Sequence, residues 1–239
     1  MSEWLHCRHR LVDPAFRLVC LPHAGGSASF FDDWAKMLPG VEVHAVRYPG
    51  RAERIAEPFA TDLRTLAADI ATALRDLADR PLALFGHSMG AAVALETARA
   101  LEASGIDVRH LWASGSRIAA LPEPQPSSGE TTEEDIVADL LRMGGSDPEL
   151  LADPDFLELV LPYMQADADL FHSYEMAPAP MLRCPITAIV GDADDDADRR
   201  PWNTLSTGPV RQATVRGGHF YLIDEPPFEL LMKGGESLD

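Results

Sequence analysis

The amino-acid sequence predicts an α/β fold, in which a mostly parallel central sheet is flanked by helices. Short apolar segments alternate with segments of helical periodicity over the first half of the chain. This alternation is typical of parallel strands that are joined by crossover helices and covered on both faces. The pattern resumes near the C-terminus, and 239 residues suffice for one sizeable core. We therefore expect a single domain over residues 1–239.

The first half of the chain supplies most of the expected sheet. Strands are predicted at residues 16–21, 41–48, 82–85 and 109–115, because these segments are short, apolar and bounded by turn residues. Between them, apolar residues recur at helical spacing, most clearly from Leu63 to Leu77, where charged residues occupy the opposite face. The helices are therefore expected to cover the sheet with their apolar faces.

The segment from residue 122 to 178 interrupts this alternation. Helices are predicted over residues 131–143, from Pro154 onwards and over residues 166–175, and Pro162 is expected to kink the second of them. Several of these helices have unusually apolar faces. We interpret residues 122–178 as a helical insertion within the domain that forms a lid over a substrate channel. The alternative is that these are ordinary surface helices packed on the sheet.

The sheet is expected to resume after the insertion. Strands are predicted at residues 186–191 and 211–216, with a short helix over residues 201–205 between them. A terminal helix is predicted over residues 227–233. These elements complete the predicted fold and place two further strand ends at the same edge of the sheet.

Charge and composition exclude several classes of function. The formal net charge of −18 repels a phosphate backbone and an anionic membrane surface, so we expect no nucleic-acid partner and no membrane partner. The sequence has no apolar run of about 18 residues and no apolar signal-peptide core at its N-terminus, which favours a cytoplasmic location. The three cysteines lack metal-type spacing, and Cys20 and Cys184 are expected to be buried free thiols.

A serine follows the apolar strand at residues 82–85. Gly86-His87-Ser88-Met89-Gly90 stands between this strand and the helix that begins near Ala91. A glycine on each side lets a strand and a helix meet at a sharp turn, with the serine exposed at its apex. We therefore predict that Ser88 is a nucleophile, although the five-residue pattern alone also occurs in surface turns.

A base and an acid follow later strands. Functional residues of an open parallel sheet gather at the C-terminal ends of its strands, and His219 follows the last strand behind two glycines. The order serine, aspartate, histidine matches the α/β-hydrolase arrangement. We predict that His219 takes the proton of Ser88 and that an aspartate orients its imidazole. The other histidines lack this context, and structural roles with satisfied hydrogen bonds are expected for His23 and His87.

The acid is less well defined by the residues alone. Aspartates crowd the segment from Asp192 to Asp196, and both Asp192 and Asp194 are candidates for the partner of His219. Alternating aspartates also begin calcium-binding loops, but the glycine and distal glutamate of such a loop are missing. We therefore expect no metal site here, and the choice between the two aspartates stays open.

Two backbone N–H groups are candidates for an oxyanion hole. Met89 follows the nucleophile at the start of a helix, and Ala24 lies in the glycine-containing loop after the first long strand. Such N–H groups stabilise the negative charge of a tetrahedral intermediate when they point at the reacting carbonyl oxygen. The alternative for the loop around Ala24 is a plain strand-to-helix turn.

Six segments together resemble the type II thioesterases of polyketide and nonribosomal peptide synthesis, in the order found in that family. They are Leu21-Pro22-His23-Ala24-Gly25-Gly26-Ser27-Ala28, Tyr48-Pro49-Gly50-Arg51, Gly86-His87-Ser88-Met89-Gly90, Met143-Gly144-Gly145, Gly191 to Asp194 and Gly217-Gly218-His219-Phe220. The resemblance implies an α/β-hydrolase fold over the domain, a mobile helical lid, and Asp194 as the acid of the triad. Two departures are Ala91, where relatives often have glycine, and a short tail after His219.

The resemblance also implies the activity. It implies hydrolysis of acyl groups from the phosphopantetheine arm of an acyl or peptidyl carrier protein, which clears stalled or misprimed units, without a cofactor. The residues alone predict only a serine acyl hydrolase. A small-molecule carboxylesterase or acyltransferase with the same triad, and a non-catalytic binding module with a hydrolase fold, are the alternatives. The sequence leaves the oligomeric state open, with a monomer favoured.

Overall fold

The protein is described here from a computed structural model, in residues 3–116, 136–138, 140–141, 148–175, 177, 180–195 and 202–233. Within these residues one sheet has the strand order β1-β3-β2-β4-β5-β6-β7. The strands are β1 (Leu5–His6), β2 (Phe16–Leu21), β3 (Val41–Val46), β4 (Leu82–His87), β5 (Val108–Ser114), β6 (Ile186–Gly191) and β7 (Val210–Val215). The short β1 pairs antiparallel with β3, and every other pairing is parallel, which confirms the predicted fold class.

Helices cover both faces of this sheet. They are α1 (Trp34–Met37), α2 (Leu63–Leu74), α3 (Met89–Ala103), α4 (Pro148–Leu151), α5 (Pro154–His172), α6 (Tyr221–Asp224) and α7 (Phe228–Lys233), and residues 136–138 and 140–141 are also helical. Helix α2 begins as its sequence predicts, because the Asp62 carboxylate accepts the Thr65 N–H at 2.7 Å. On one face, α2 and α3 bury apolar side chains that include Ile70 and Leu101. On the other face, Phe31, Trp34 and Trp112 belong to a second buried cluster.

Helix α5 differs from the expectation of two separate helical segments. It continues for 19 residues, from Pro154 to His172, with Pro162 inside it. A proline in a helix removes one backbone hydrogen bond, to the carbonyl of Glu158, but its fixed φ remains compatible with the helix on both sides. Before Pro162, Leu161 packs with the described residues around Ile136. After it, Leu170 joins the main core of the sheet.

Apolar residues also recur at helical spacing from Phe30 to Leu38, but no long helix forms there. The structure has a single 3₁₀ turn at Ala28–Phe31 and then the one-turn helix α1. The regular spacing of apolar residues in this segment reflects aromatic packing and not a long helix, because Phe31 and Trp34 both make edge contacts with Phe85 in the sheet. The predicted helix over residues 131–143 lies mostly outside the described residues, as does the proline-rich stretch before it.

Two remaining expectations concern thiols and membranes. Cys20 and Cys184 are buried free thiols, as predicted, and burial raises the pKa of both. Among the helices of the described residues, none is both long enough and apolar enough to cross a bilayer.

Candidate active site

Ser88 stands at the turn between β4 and α3, as the sequence predicts. Its backbone has φ 55° and ψ −123°, a conformation that costs a non-glycine residue energy and that marks a nucleophile elbow. The Ser88 N–H donates to the Ser114 carbonyl at 2.8 Å, which extends the pairing of β4 with β5 up to the turn. Ser88 itself is half-buried.

Two glycines make this turn sterically feasible. A Cβ on Gly86 would lie 2.1 Å from the Gly90 carbonyl oxygen, and a Cβ on Gly90 would lie 2.2 Å from the Leu21 carbonyl oxygen. Both distances are far below contact distance, and both involve backbone atoms that cannot rotate away. The strand β4, the first turn of α3 and the end of β2 therefore approach one another only because these positions lack side chains.

His219 and Asp194 are brought together at the ends of β7 and β6. Nδ1 of His219 lies 3.0 Å from Oδ2 of Asp194, and both side chains are buried. The other candidate acid has a different partner, because Asp192 Oδ1 accepts the Gly217 N–H at 2.8 Å. The geometry therefore favours Asp194 as the partner of the imidazole, and Asp192 helps to hold the loop that carries it.

The second imidazole nitrogen of His219 is available for proton transfer. An Nδ1–H that donates to Asp194 leaves Nε2 with its lone pair, which is the tautomer that a general base needs. Nε2 is buried and makes no hydrogen bond within the described part of the chain. Hydrogen bonds between nucleophile and base often form only when substrate binds, so the open Nε2 is consistent with a base.

His87 has a partly satisfied structural role, which corrects the expectation of a fully satisfied one. Its Nδ1 lies 2.9 Å from the Ser114 hydroxyl, which in turn lies 2.6 Å from the Tyr221 hydroxyl. Nε2 of His87 is buried without a partner in the described residues. Burial, followed by the nearby His219, lowers the pKa of His87 well below its usual value, so the ring is neutral. Sequence reasoning missed Ser114 and Tyr221 because neither belongs to a motif.

His23 is neutral for a similar reason. Burial, the charge of His219 and Arg51 together lower its pKa to about 3. Its ring packs edge-on against Phe220 at 4.8 Å between centroids, and Nδ1 has no partner in the described residues. Within the described residues the expected hydrogen bond is therefore not found at this atom, and the lowered pKa values keep both His23 and His87 neutral near pH 7.

The structure places the two predicted oxyanion donors on neighbouring segments. Met89 is the first residue of α3, where N–H groups have no acceptor within the helix. Ala24 lies in the loop that follows β2. This loop begins beside the first turn of α3, because the Leu21 carbonyl at the end of β2 lies against Gly90. The loop that carries Ala24 and the start of α3 therefore begin side by side.

One group of metal-ligating residue types occurs elsewhere in the described residues. Cys7, Glu42 and His44 lie close together beside β3. The Glu42 carboxylate is already paired, because it accepts from Arg17 Nε at 3.0 Å and from the Leu11 N–H at 2.7 Å. This arrangement fits a buried ion pair better than a cation site. Of the alternating aspartates near the candidate acid, Asp196 lies outside the described residues.

The fold and the strand-end positions of Ser88, Asp194 and His219 define the class of protein as an α/β-hydrolase. A family model described as the thioesterase domain matches residues 16–233. The chain belongs to this family. The predicted resemblance to thioesterases is therefore confirmed at the level of the family.

Individual relatives agree with this membership. The chain is 40% identical to the probable cadicidin biosynthesis thioesterase of Streptomyces griseus, over 92% of this chain and 62% of that protein. It is 39% identical to thioesterase PikA5 of Streptomyces venezuelae, over 93% of this chain and 81% of that protein. The chain thus spans less than two thirds of the first of these relatives. The structure of the type II thioesterase BorB, from the borrelidin biosynthetic cluster, superposes with a TM-score of 0.85 at 35% identity, covering 98% of both chains.

Proposed function

We propose that this protein is a serine thioesterase that hydrolyses acyl groups from the phosphopantetheine arm of acyl or peptidyl carrier proteins. Its role would be to clear stalled or misprimed units in polyketide or nonribosomal peptide synthesis. The observation that carries the proposal is the pairing of Asp194 with His219, together with the strained backbone of Ser88 at its turn, in a chain of the thioesterase family. The names of the relatives, which refer to such pathways, support the choice of substrate class.

The chemistry follows from the arrangement of the groups. Oγ of Ser88 attacks the thioester carbonyl while Nε2 of His219 takes its proton, and Asp194 stabilises the imidazolium. The N–H groups of Ala24 and Met89 receive the oxyanion. The C–S bond then breaks, and His219 gives its proton to the departing thiolate. A water molecule, deprotonated by His219, attacks the acyl-enzyme, and the proton returns to Ser88 as the carboxylic acid leaves.

The proposal includes a lid formed by residues 122–178 within a single domain. A groove of about 590 Å³ runs along α5, and its lining includes the apolar side chains of Ile136, Leu157 and Leu161 together with the polar side chains of Glu158 and Gln165. Such a surface could receive an acyl chain, since burying a methylene group contributes about 0.8 kcal/mol. The side chain of Met164, on the same helix, contacts the loop that contains Ala24. The groove and the Met164 contact support the proposal that α5 belongs to a lid over the loop that contains Ala24.

Acyl-carrier hydrolysis provides the direct test. Purified protein and its Ser88→Ala variant are incubated with an acylated carrier protein, and loss of the acyl group from the phosphopantetheine arm is followed by mass spectrometry. We expect the wild-type protein to deacylate the carrier and the variant to match the rate without enzyme. Equal rates for the two proteins would refute the proposal.

Two other functions use the same fold. A small-molecule carboxylesterase would hydrolyse simple oxygen esters faster than acyl-pantetheine in a parallel assay. An acyltransferase would transfer the acyl group to an alcohol. A non-catalytic binding module would leave Ser88 unlabelled by a fluorophosphonate. Labelling of Ser88 with preference for the thioester supports the proposed function over both.

A further inference from the structure

A buried ion pair connects helix α5 to the turn after β3. Arg51 Nη1 donates to Asp167 Oδ2 at 2.6 Å, and Arg51 Nη2 donates to Asp167 Oδ1 in a second short bond. Both side chains are about 95% buried. The residues are 116 positions apart in the sequence, so the pair joins α5 to the turn after β3.

The same carboxylate also holds the backbone of the loop that carries Ala24. Asp167 Oδ2 accepts the Gly25 N–H at 2.8 Å, while Arg51 Nη1 lies 3.3 Å from the Gly26 carbonyl oxygen, to which it donates. The Gly25 N–H and the Ala24 carbonyl belong to one peptide plane. Holding that plane in place restricts rotation about ψ of Ala24, and thereby limits the directions in which the Ala24 N–H can point.

This loop needs an external constraint. Gly25 has φ +74°, and glycine has access to more backbone conformations than any other residue. Two side chains of α5 lie against these groups. Met164 lies over Gly25, so close that a Cβ added to this glycine would be 2.9 Å from Met164 Cε. The Tyr163 ring lies 5.1 Å from the Arg51 guanidinium. Tyr48 packs on the same guanidinium at 5.3 Å. The ion pair is therefore enclosed on several sides.

Stability alone does not account for such a pair. A buried ion pair pays a large desolvation cost, and replacing both partners with apolar residues is often neutral or stabilising. Its fixed bidentate geometry, by contrast, is well suited to holding a backbone group in one position. We infer that Arg51 and Asp167 are positioning residues, which hold the Ala24 N–H in the orientation that receives the oxyanion. The inference rests on the proposed function, in which Ala24 is an oxyanion donor.

The inference predicts a specific kinetic effect. In Asp167→Asn, the carboxamide oxygen can still accept one hydrogen bond, but the pair with Arg51 is broken and the loop gains freedom. Removal of an oxyanion donor lowers kcat by about 10²–10³. Loss of its positioning should have a smaller effect, and we expect kcat to fall by roughly 10–100-fold with KM within about 2-fold. Asp169→Asn is the matched control, because Asp169 is exposed on the same helix and pairs with Gln165.

Two assays separate this inference from the proposed function. The rate at which a fluorophosphonate labels Ser88 depends on the nucleophile and its oxyanion pocket, and it requires no thioester substrate. We expect Asp167→Asn to slow labelling by roughly 10–100-fold, while Asp169→Asn labels at the wild-type rate. If the wild-type protein labels but fails to deacylate a carrier, the proposed substrate is wrong while the positioning role remains supported. Wild-type labelling by a folded Asp167→Asn variant would overturn the inference.

A second variant covers the case in which Asp167→Asn fails to fold. The double substitution Arg51→Met with Asp167→Leu replaces the pair with apolar side chains and avoids an unpaired buried charge. We expect this protein to fold, as judged by its thermal unfolding, and to bind a trifluoromethyl ketone analogue of the acyl group at least 10-fold more weakly. That analogue forms a tetrahedral adduct with Ser88 and reports on the oxyanion site. Unchanged binding would contradict the positioning role.

Discussion

Oδ2 of Asp194 and Nδ1 of His219 lie 3.0 Å apart, and both side chains are buried. Two residues earlier, Asp192 accepts a hydrogen bond from the Gly217 backbone. Neighbouring aspartates therefore have separate partners on the same loop. One carboxylate faces the imidazole, and the other faces the peptide chain that carries it.

This division predicts that two similar substitutions have different effects. Asp194→Asn should lower kcat by about 10³–10⁴, because an amide cannot hold the imidazole in the right tautomer or stabilise the imidazolium. Asp192→Asn retains an oxygen that can accept the Gly217 N–H, so a loss below about 10-fold is expected. Steady-state hydrolysis of an acyl-pantetheine thioester measures both. A larger loss at Asp192 would reverse the assignment of the acid.

Replacement of the base should abolish most turnover. His219→Ala removes the proposed base, and we expect kcat to fall by about 3–4 orders of magnitude. His172→Ala is the matched control, because His172 is exposed at the end of α5. Both variants should keep the wild-type unfolding temperature within a few degrees. An active His219→Ala protein would show that another residue is the base.

The glycines of the turn give a test by stability. Gly90→Ala places a Cβ 2.2 Å from the Leu21 carbonyl oxygen, which requires movement of backbone, and should destabilise the protein by about 1–3 kcal/mol or more. Gly105→Ala is the comparison, because that glycine has positive φ but no atom within 4 Å of its Cβ position. Its cost should be limited to about 1 kcal/mol of backbone strain. Urea unfolding of both variants measures the difference, and equal costs would contradict the close approach.

Buried histidines predict how stability depends on pH. Burial lowers the pKa of His110 to about 4, from an unfolded value near 6.5. Between these values the unfolded chain binds more protons, so the free energy of unfolding decreases as pH falls from about 6.5 towards 4. His23, with its pKa of about 3, contributes in the same direction.

The variant His110→Gln tests this contribution. Glutamine does not titrate and can still reach Thr187, whose hydroxyl lies 2.9 Å from the histidine Nε2. We expect the loss of stability between pH 7 and about pH 4.5 to be smaller in this variant by about 2 kcal/mol. Urea unfolding at the two pH values provides the measurement. An unchanged difference would mean that His110 is not the titrating group.

The sequence predicts those features that depend on local pattern. The apolar strand and the glycines that flank Ser88 are adjacent to it in the chain, and the two glycines before His219 are adjacent to that histidine. The close packing of the turn at Ser88 follows from this local pattern. The pairing of Arg51 with Asp167 could not be predicted in this way. It joins segments 116 residues apart, and nothing in the sequence around Asp167 distinguishes it from an exposed aspartate on a helix.

Other departures have a similar origin. The Ser114 hydroxyl reaches both His87 and Tyr221 only because β5 lies beside β4 and α6 folds back onto them. The sequence predicts a kink at Pro162 and a separate helix over residues 166–175, since a proline disrupts local hydrogen bonding. Tertiary packing on both sides of it outweighs the loss of one bond, and α5 stays continuous.

The position of Pro162 has a mechanical consequence. Before it, α5 packs with residues around Ile136, and after it the helix is fixed to the body of the protein through Asp167 and Leu170. The missing hydrogen bond makes this point the most compliant in the helix. Bending there would move the outer half of α5 and leave the inner half in place. Under the proposed function, such bending would change the access of a long substrate without moving Asp167, which holds the loop that carries Ala24.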